Sequence, residues 1–205
     1  LSRLKRLNFW RNLKCEFLLT VFYVLLGCGA STMPITGSIG SLQEVKAAIT
    51  FGLGAAVLMQ CALRINGPPQ MNPAITLAML CTRRTDVITA VFHVIAQCLG
   101  SVAGAGMLYG MTSVRQHERL AMTLVQADVG RGQAFGVEFI ATFVVTFTYF
   151  ACMTHPAAVH GGYQSLPVGL SIIVGHMFGV NCHCLSACLP ICQLNVSFSL
   201  SSNLS

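Results

Sequence analysis

The chain has 205 residues, of which 54% are hydrophobic and 9% charged, against roughly 25% charged in soluble domains. That composition excludes an ordinary soluble domain. The formal charge of +6 is no nucleic-acid signal, because the basic residues sit beside apolar runs rather than in a patch. Five of the twelve, Arg3, Lys5, Arg6, Arg11 and Lys14, precede the first such run. This flank marks the cytoplasmic side of a membrane span. A signal peptide would share it, but the run is long for one and Glu16 would fall inside it. The chain opens at Leu1 rather than Met, as a fragment would.

No Asp, Glu, Lys or Arg lies between Glu16 and Glu44, between Asp86 and Arg115, or after Glu138. About 20 apolar residues cross the hydrocarbon core. Five spans are expected: 13–31, 45–63, 86–110, 134–153 and 165–180. Between the second and third, Pro68, Pro69 and Pro73 precede an apolar stretch from Ala74 to Cys81. It is too short to cross but long enough for half a helix, which survives at membrane depth only where its backbone lines a cavity or is buried in protein. An N-terminus inside places eight basic residues on the inner side and four on the outer. Cys15, Cys28, Cys61 and Cys98 are expected as small buried apolar residues rather than a disulfide framework.

An internal repeat is visible. Glu16-Phe17 with Thr20 recurs as Glu138-Phe139 with Thr142, and Gly52-Leu53 recurs as Gly169-Leu170. Three spans separate the copies, so the second is inverted in the membrane, an arrangement that places a solute site where broken helices meet at the midplane. Asn72-Pro73-Ala74 opens the half-helix. Asn72 suits the N-cap and Pro73 the first helical position. A buried helix N-terminus is electropositive and raises a barrier to cations and protons but little to a neutral molecule. Gly100-xxx-Gly104 and Gly106-xxx-Gly110 are expected to let the third span pack closely on a neighbour.

The run Gln70-Met71-Asn72-Pro73-Ala74-Ile75-Thr76 resembles the first signature loop of the major intrinsic protein (aquaporin) family. Further likeness lies in His93–Gly100, Val137–Thr142, Gly169-Leu170-Ser171 and Gly175-His176. The similarity runs from about Asn12 to Val180 and favours the water-selective and big-brain-like branches. It implies an all-α membrane protein, an aquaporin-like inverted-repeat bundle of five spans plus one re-entrant half-helix. Residues 1–180 would form an incomplete channel domain and 181–205 a divergent tail. The second half-helix, its following arginine and the sixth span are missing from the tail, which reads like an alternative exon end or a frameshifted product. The implied function is passive passage of water or a small neutral solute, with no cofactor, in a plasma-membrane homotetramer if the chain is complete.

The resemblance also implies roles for single residues. Asn72 faces the conducting file, Phe51 and His176 belong to the selectivity ring, and Glu16 and Glu138 brace re-entrant loops. A carboxylate inside a span marks function or bracing by default; no nucleophile or metal set stands beside these two to suggest catalysis. Cys182, His183, Cys184, Cys188 and Cys192 are too irregularly spaced for a zinc site, and Asn195-Val196-Ser197 fits a glycosylation acceptor. Two rival readings remain. A non-conducting membrane protein, truncated or adhesion-like, that assembles with intact channel subunits fits the missing half, which predicts little conduction by this chain alone. A coupled transporter shares the inverted repeat but would need more charges within its spans.

Overall fold

The computed structural model describes residues 7–32, 40–113, 131–154 and 163–179. Six helices follow in chain order: α1 (Leu7–Thr32), α2 (Gly40–Ile65), α3 (Pro73–Cys81), α4 (Val87–Met111), α5 (Arg131–Met153) and α6 (Ser165–Gly179). Among the described residues α1, α2, α4 and α5 are long and apolar enough to cross a membrane. The fifth expected span appears as α6, whose described part has 15 residues, about 22 Å at the α-helical rise. The sequence placed the first span at 13–31; the described helix already includes Leu7, so Arg11 and Lys14 ride on helical turns ahead of the apolar run.

α1 packs on α4 and α2, α2 on α6, α6 on α5, and the short α3 lies between α4 and α5. Two crossings depend on missing side chains. At α1–α4, a Cβ on Gly100 would stand 2.6 Å from the Phe17 carbonyl oxygen, and one on Gly104 would stand 2.6 Å from that of Val21. The register therefore runs parallel, and the backbones approach as small residues allow in lipid, where packing replaces the hydrophobic drive between helices. At α2–α6, Gly52 faces Gly169 and Ile173, Gly169 faces Ala56, and Ser165 donates to Gln60 Oε1 at 2.7 Å. This register is antiparallel. A Cβ on Gly52 or on Gly169 would collide with the other glycine's carbonyl oxygen. The repeat-related glycines thus meet each other reciprocally, as a two-fold axis between inverted halves requires.

Two expectations need correction. Gly106 and Gly110 have open space where a Cβ would stand, because they lie on the exposed face of α4, turned away from the row of Gly100, Gly104 and Leu108 that meets α1. Cys61 is exposed and Cys15 and Cys98 half-buried, leaving Cys28 alone of the four fully buried. In a bilayer an outward thiol meets hydrocarbon, so apolar character does not force it inside. The expected tail 181–205, with its cysteine cluster and Asn195, lies outside the described residues.

Candidate functional site

The site is built around the N-terminus of α3. The chain leaves α2 through Asn66, whose N–H reaches the Ala62 carbonyl at 2.8 Å. It then turns at Gly67, with φ +93°, and passes Pro68 and Pro69. Met71 adopts φ +53°, a left-handed conformation costing about 1–3 kcal/mol in a residue other than glycine. What holds it there is Glu16. One carboxylate oxygen accepts the Gln70 N–H at 2.7 Å, and the other accepts the Met71 N–H at 2.8 Å and the Gln97 amide at 2.9 Å. Three donors on a 3%-exposed carboxylate compensate a charge that would otherwise be costly so deep in the fold.

The network continues away from the carboxylate. Gln97 Nε2 also lies 3.1 Å from the Thr76 hydroxyl, which donates to Gln70 Oε1 at 2.7 Å. His93 Nδ1 stands 3.2 Å from the same Gln70 oxygen; since that oxygen is an acceptor, Nδ1 carries the proton. Glu16 from α1, Gln70 from the loop, Thr76 from α3, and His93 and Gln97 from α4 thus form one buried polar cluster. His93 and Gln97 are four residues apart and share a helix face.

α3 is defined at both ends. Asn72 is its N-cap, the side-chain oxygen accepting the Ala74 N–H at 2.8 Å, and Pro73 stands at the helix start. Among the described residues nothing accepts a hydrogen bond from the Asn72 Nδ2 group. At the other end Arg83, with φ +57°, sends its N–H to Leu80, and Arg84 to Met79. This paired closure is a Schellman motif. Arg84 also donates to the Thr154 carbonyl at 3.2 Å and stands 5.7 Å from the centroid of the Phe150 ring, tying the end of α3 to α5.

Phe51 and His176, distant in sequence, are brought together. Their rings stack at 4.9 Å between centroids and 26° between planes, and Tyr23 meets Phe51 edge-on at 5.4 Å. The Phe51 ring occupies the space a Cβ on Gly27 would need. His176 Nδ1 donates to the Ile172 carbonyl at 3.0 Å, while Nε2 is buried and has no hydrogen-bond partner among the described residues. Glu138 is half-buried on α5.

A family model, the major intrinsic protein, matches residues 3–188. The chain belongs to the major intrinsic protein family. The match continues eight residues beyond Val180, where the motifs alone had ended the likeness. Mouse aquaporin-4 is 39% identical over 175 residues, covering 84% of this chain and 54% of that protein. The chicken lens fiber major intrinsic protein is 37% identical over 180 residues, covering 88% of this chain and 67% of that one. The chain thus spans about half the length of the aquaporin-4 relatives it matches. An aquaglyceroporin structure from Plasmodium falciparum shares the fold, with a TM-score of 0.69 at 20% identity, over 83% of this chain and 73% of that one. Together with the apolar helices, membership of the family makes this an integral, multi-pass membrane protein.

The sequence reading missed the roles of Gln70, Thr76, His93 and Gln97. All four sit inside the segments that carried the family likeness, and polar side chains on otherwise apolar spans were the available signal.

Proposed function

We propose that this chain forms part of a passive channel for water, with the capped N-terminus of α3 at the conducting path. The reading is carried by two polar atoms without a hydrogen-bond partner among the described residues: the Asn72 Nδ2 donor and the buried Nε2 acceptor of His176. A donor and an acceptor left open within an apolar bundle suit a molecule that both gives and accepts hydrogen bonds. The electropositive end of α3 disfavours cations and protons on the same path. Phe51 and His176 form the narrow ring of that path. Glu16 holds the α3 loop, and Glu138 is assigned the same task for the other half. The aquaporin-4 likeness supports water over larger neutral solutes.

A second reading rests on the same ring. Phe51 and His176 stack face to face at 4.9 Å, the packing of two side chains in contact, which favours a non-conducting member that assembles with intact subunits. Osmotic swelling of proteoliposomes carrying the full chain separates the two. Swelling faster than protein-free vesicles, lost on Asn72→Trp, supports the channel. Baseline swelling by folded, reconstituted protein rejects it in favour of the second reading.

The N-terminus is placed in the cytoplasm by the loop-charge asymmetry, the membrane is assigned as the plasma membrane, and the assembly as a homotetramer. Labelling of a Lys14→Cys variant in intact cells, and the mass of the detergent-solubilised complex, check orientation and assembly; outside labelling or a monomeric mass would overturn them.

A further inference from the structure

α1 and α4 come close at Gly100 and Gly104, and large side chains replace the glycines toward their N-terminal ends. There the Phe9 and Phe92 rings meet edge to face at 5.6 Å. Beside them, on the outward side, runs a groove of about 310 Å³. Leu13 and Phe17 wall it on α1, Ile95 and Leu99 wall it on α4, and Ala96 supplies a small floor between them. Polar surface is nearly absent from this lining, so within a bilayer hydrocarbon fills it.

The mouth of the groove differs from its interior. Trp10, 44% exposed, and Lys14 line it at the N-terminal end of α1. Arg11 is exposed three residues from Lys14, hence within one turn of it. The acidic groups on these two helices do not neutralise the pair. Glu16 is buried and engaged by Gln70, Met71 and Gln97, and Asp86 caps α4 through Thr89. An amphipathic indole beside two cations belongs at the headgroup level, and basic side chains there attract anionic lipid.

We propose that this groove binds an anionic phospholipid, one acyl chain lying between α1 and α4 and the headgroup held by Lys14 and Arg11. The apolar lining and the two exposed cations adjoin along α1, as the acyl chain and headgroup of a phospholipid do. The site stands apart from the α3 loop and does not depend on whether the chain conducts.

Trp10 is the chain's single tryptophan and so reports directly on the groove. The full chain is reconstituted in phosphatidylcholine vesicles containing increasing fractions of phosphatidylserine or phosphatidylcholine with brominated chains, and quenching of Trp10 is followed. Brominated phosphatidylserine is expected to quench at a mole fraction about 25-fold lower than brominated phosphatidylcholine, about fivefold for each of the two basic residues. Lys14→Gln should lower that preference about fivefold, the factor equivalent to about 1 kcal/mol per basic residue near the surface. Arg11→Gln with Lys14→Gln should bring the two lipids to parity. Arg83→Gln, exposed in the loop after α3 and outside the groove, should leave the preference unchanged, and soluble phosphoserine should not compete. Equal quenching by both lipids in the unmodified chain overturns the proposal. So does an equal loss in Arg83→Gln, which would mean diffuse surface attraction, and so does competition by phosphoserine, which would mean an anion site without a lipid.

Discussion

α1 and α5 carry the same Glu-Phe signature with a threonine four residues after the glutamate, yet the fold treats them differently. In the most apolar window of α1, 44% of residues are buried, against 17% in α5. Around Glu16 three elements converge and every carboxylate oxygen is used. Along α5 the rings of Phe135, Phe139, Phe143 and Phe147 point outward at four-residue spacing and stack on one another in pairs. The difference teaches where specificity resides in a membrane bundle. Lipid is as apolar as phenylalanine, so burying an aromatic ring against another helix gains little over leaving it in the bilayer. A carboxylate or a close backbone approach has one good arrangement.

The comparison breaks most readily at the two glutamates. Glu16→Ala leaves two backbone N–H groups and the Gln97 amide without their acceptor, and should cost about 3–5 kcal/mol by analogy with a broken buried charge pair. Glu138→Ala, at a half-buried position, should cost less than half as much. Unfolding of the purified full chain by SDS titration in mild detergent measures both, and equal losses would remove the distinction. The glycine crossings come next. Gly100→Val drives a side chain into the Phe17 carbonyl and should cost about 1–3 kcal/mol, the usual range for overpacking. Gly106→Val meets open space and should stay within about 0.5 kcal/mol; the same titration sharpens the comparison if the two differ in that order. The smallest effect belongs to the α5 ladder. Phe143→Leu exchanges one lipid-facing apolar group for another and should also stay within about 0.5 kcal/mol. A larger loss in the purified chain would mean that the ladder packs on protein.

Much of this was legible in the sequence because lipid makes strict demands. The spans, the half-helix, the Asn72 cap with Pro73 behind it, and the repeat carried by Gly52 and Gly169 all follow from chain length, propensity and spacing. The α6 helix was legible only as a position, since its described part is shorter than a span. Sequence spacing puts Gly100 and Gly104 on a different face of α4 from Gly106 and Gly110, but only the packing of α1 decides which of the two faces is touched. Cys61 escaped for the converse reason, as an apolar residue in a membrane protein has no preferred side. The Glu16 cluster was half-legible. The resemblance implied that Glu16 braces a re-entrant loop, but that the donors are the Gln70 and Met71 amides and the Gln97 side chain depends on a left-handed turn at Met71, which nothing about methionine announces.

The central claim is that the Glu16 carboxylate fixes the loop that begins α3, and amide hydrogen exchange at Gln70 and Met71 tests it most directly. In the full chain these two N–H groups should be among the slowest in the loop between α2 and α3, although the loop has no helix or sheet of its own. Glu16→Gln should speed both by at least about tenfold, as expected for losing a charge-assisted bond of about 1.5–3 kcal/mol. Fast exchange at both amides in the unmodified protein, or rates unchanged by Glu16→Gln, would contradict the account.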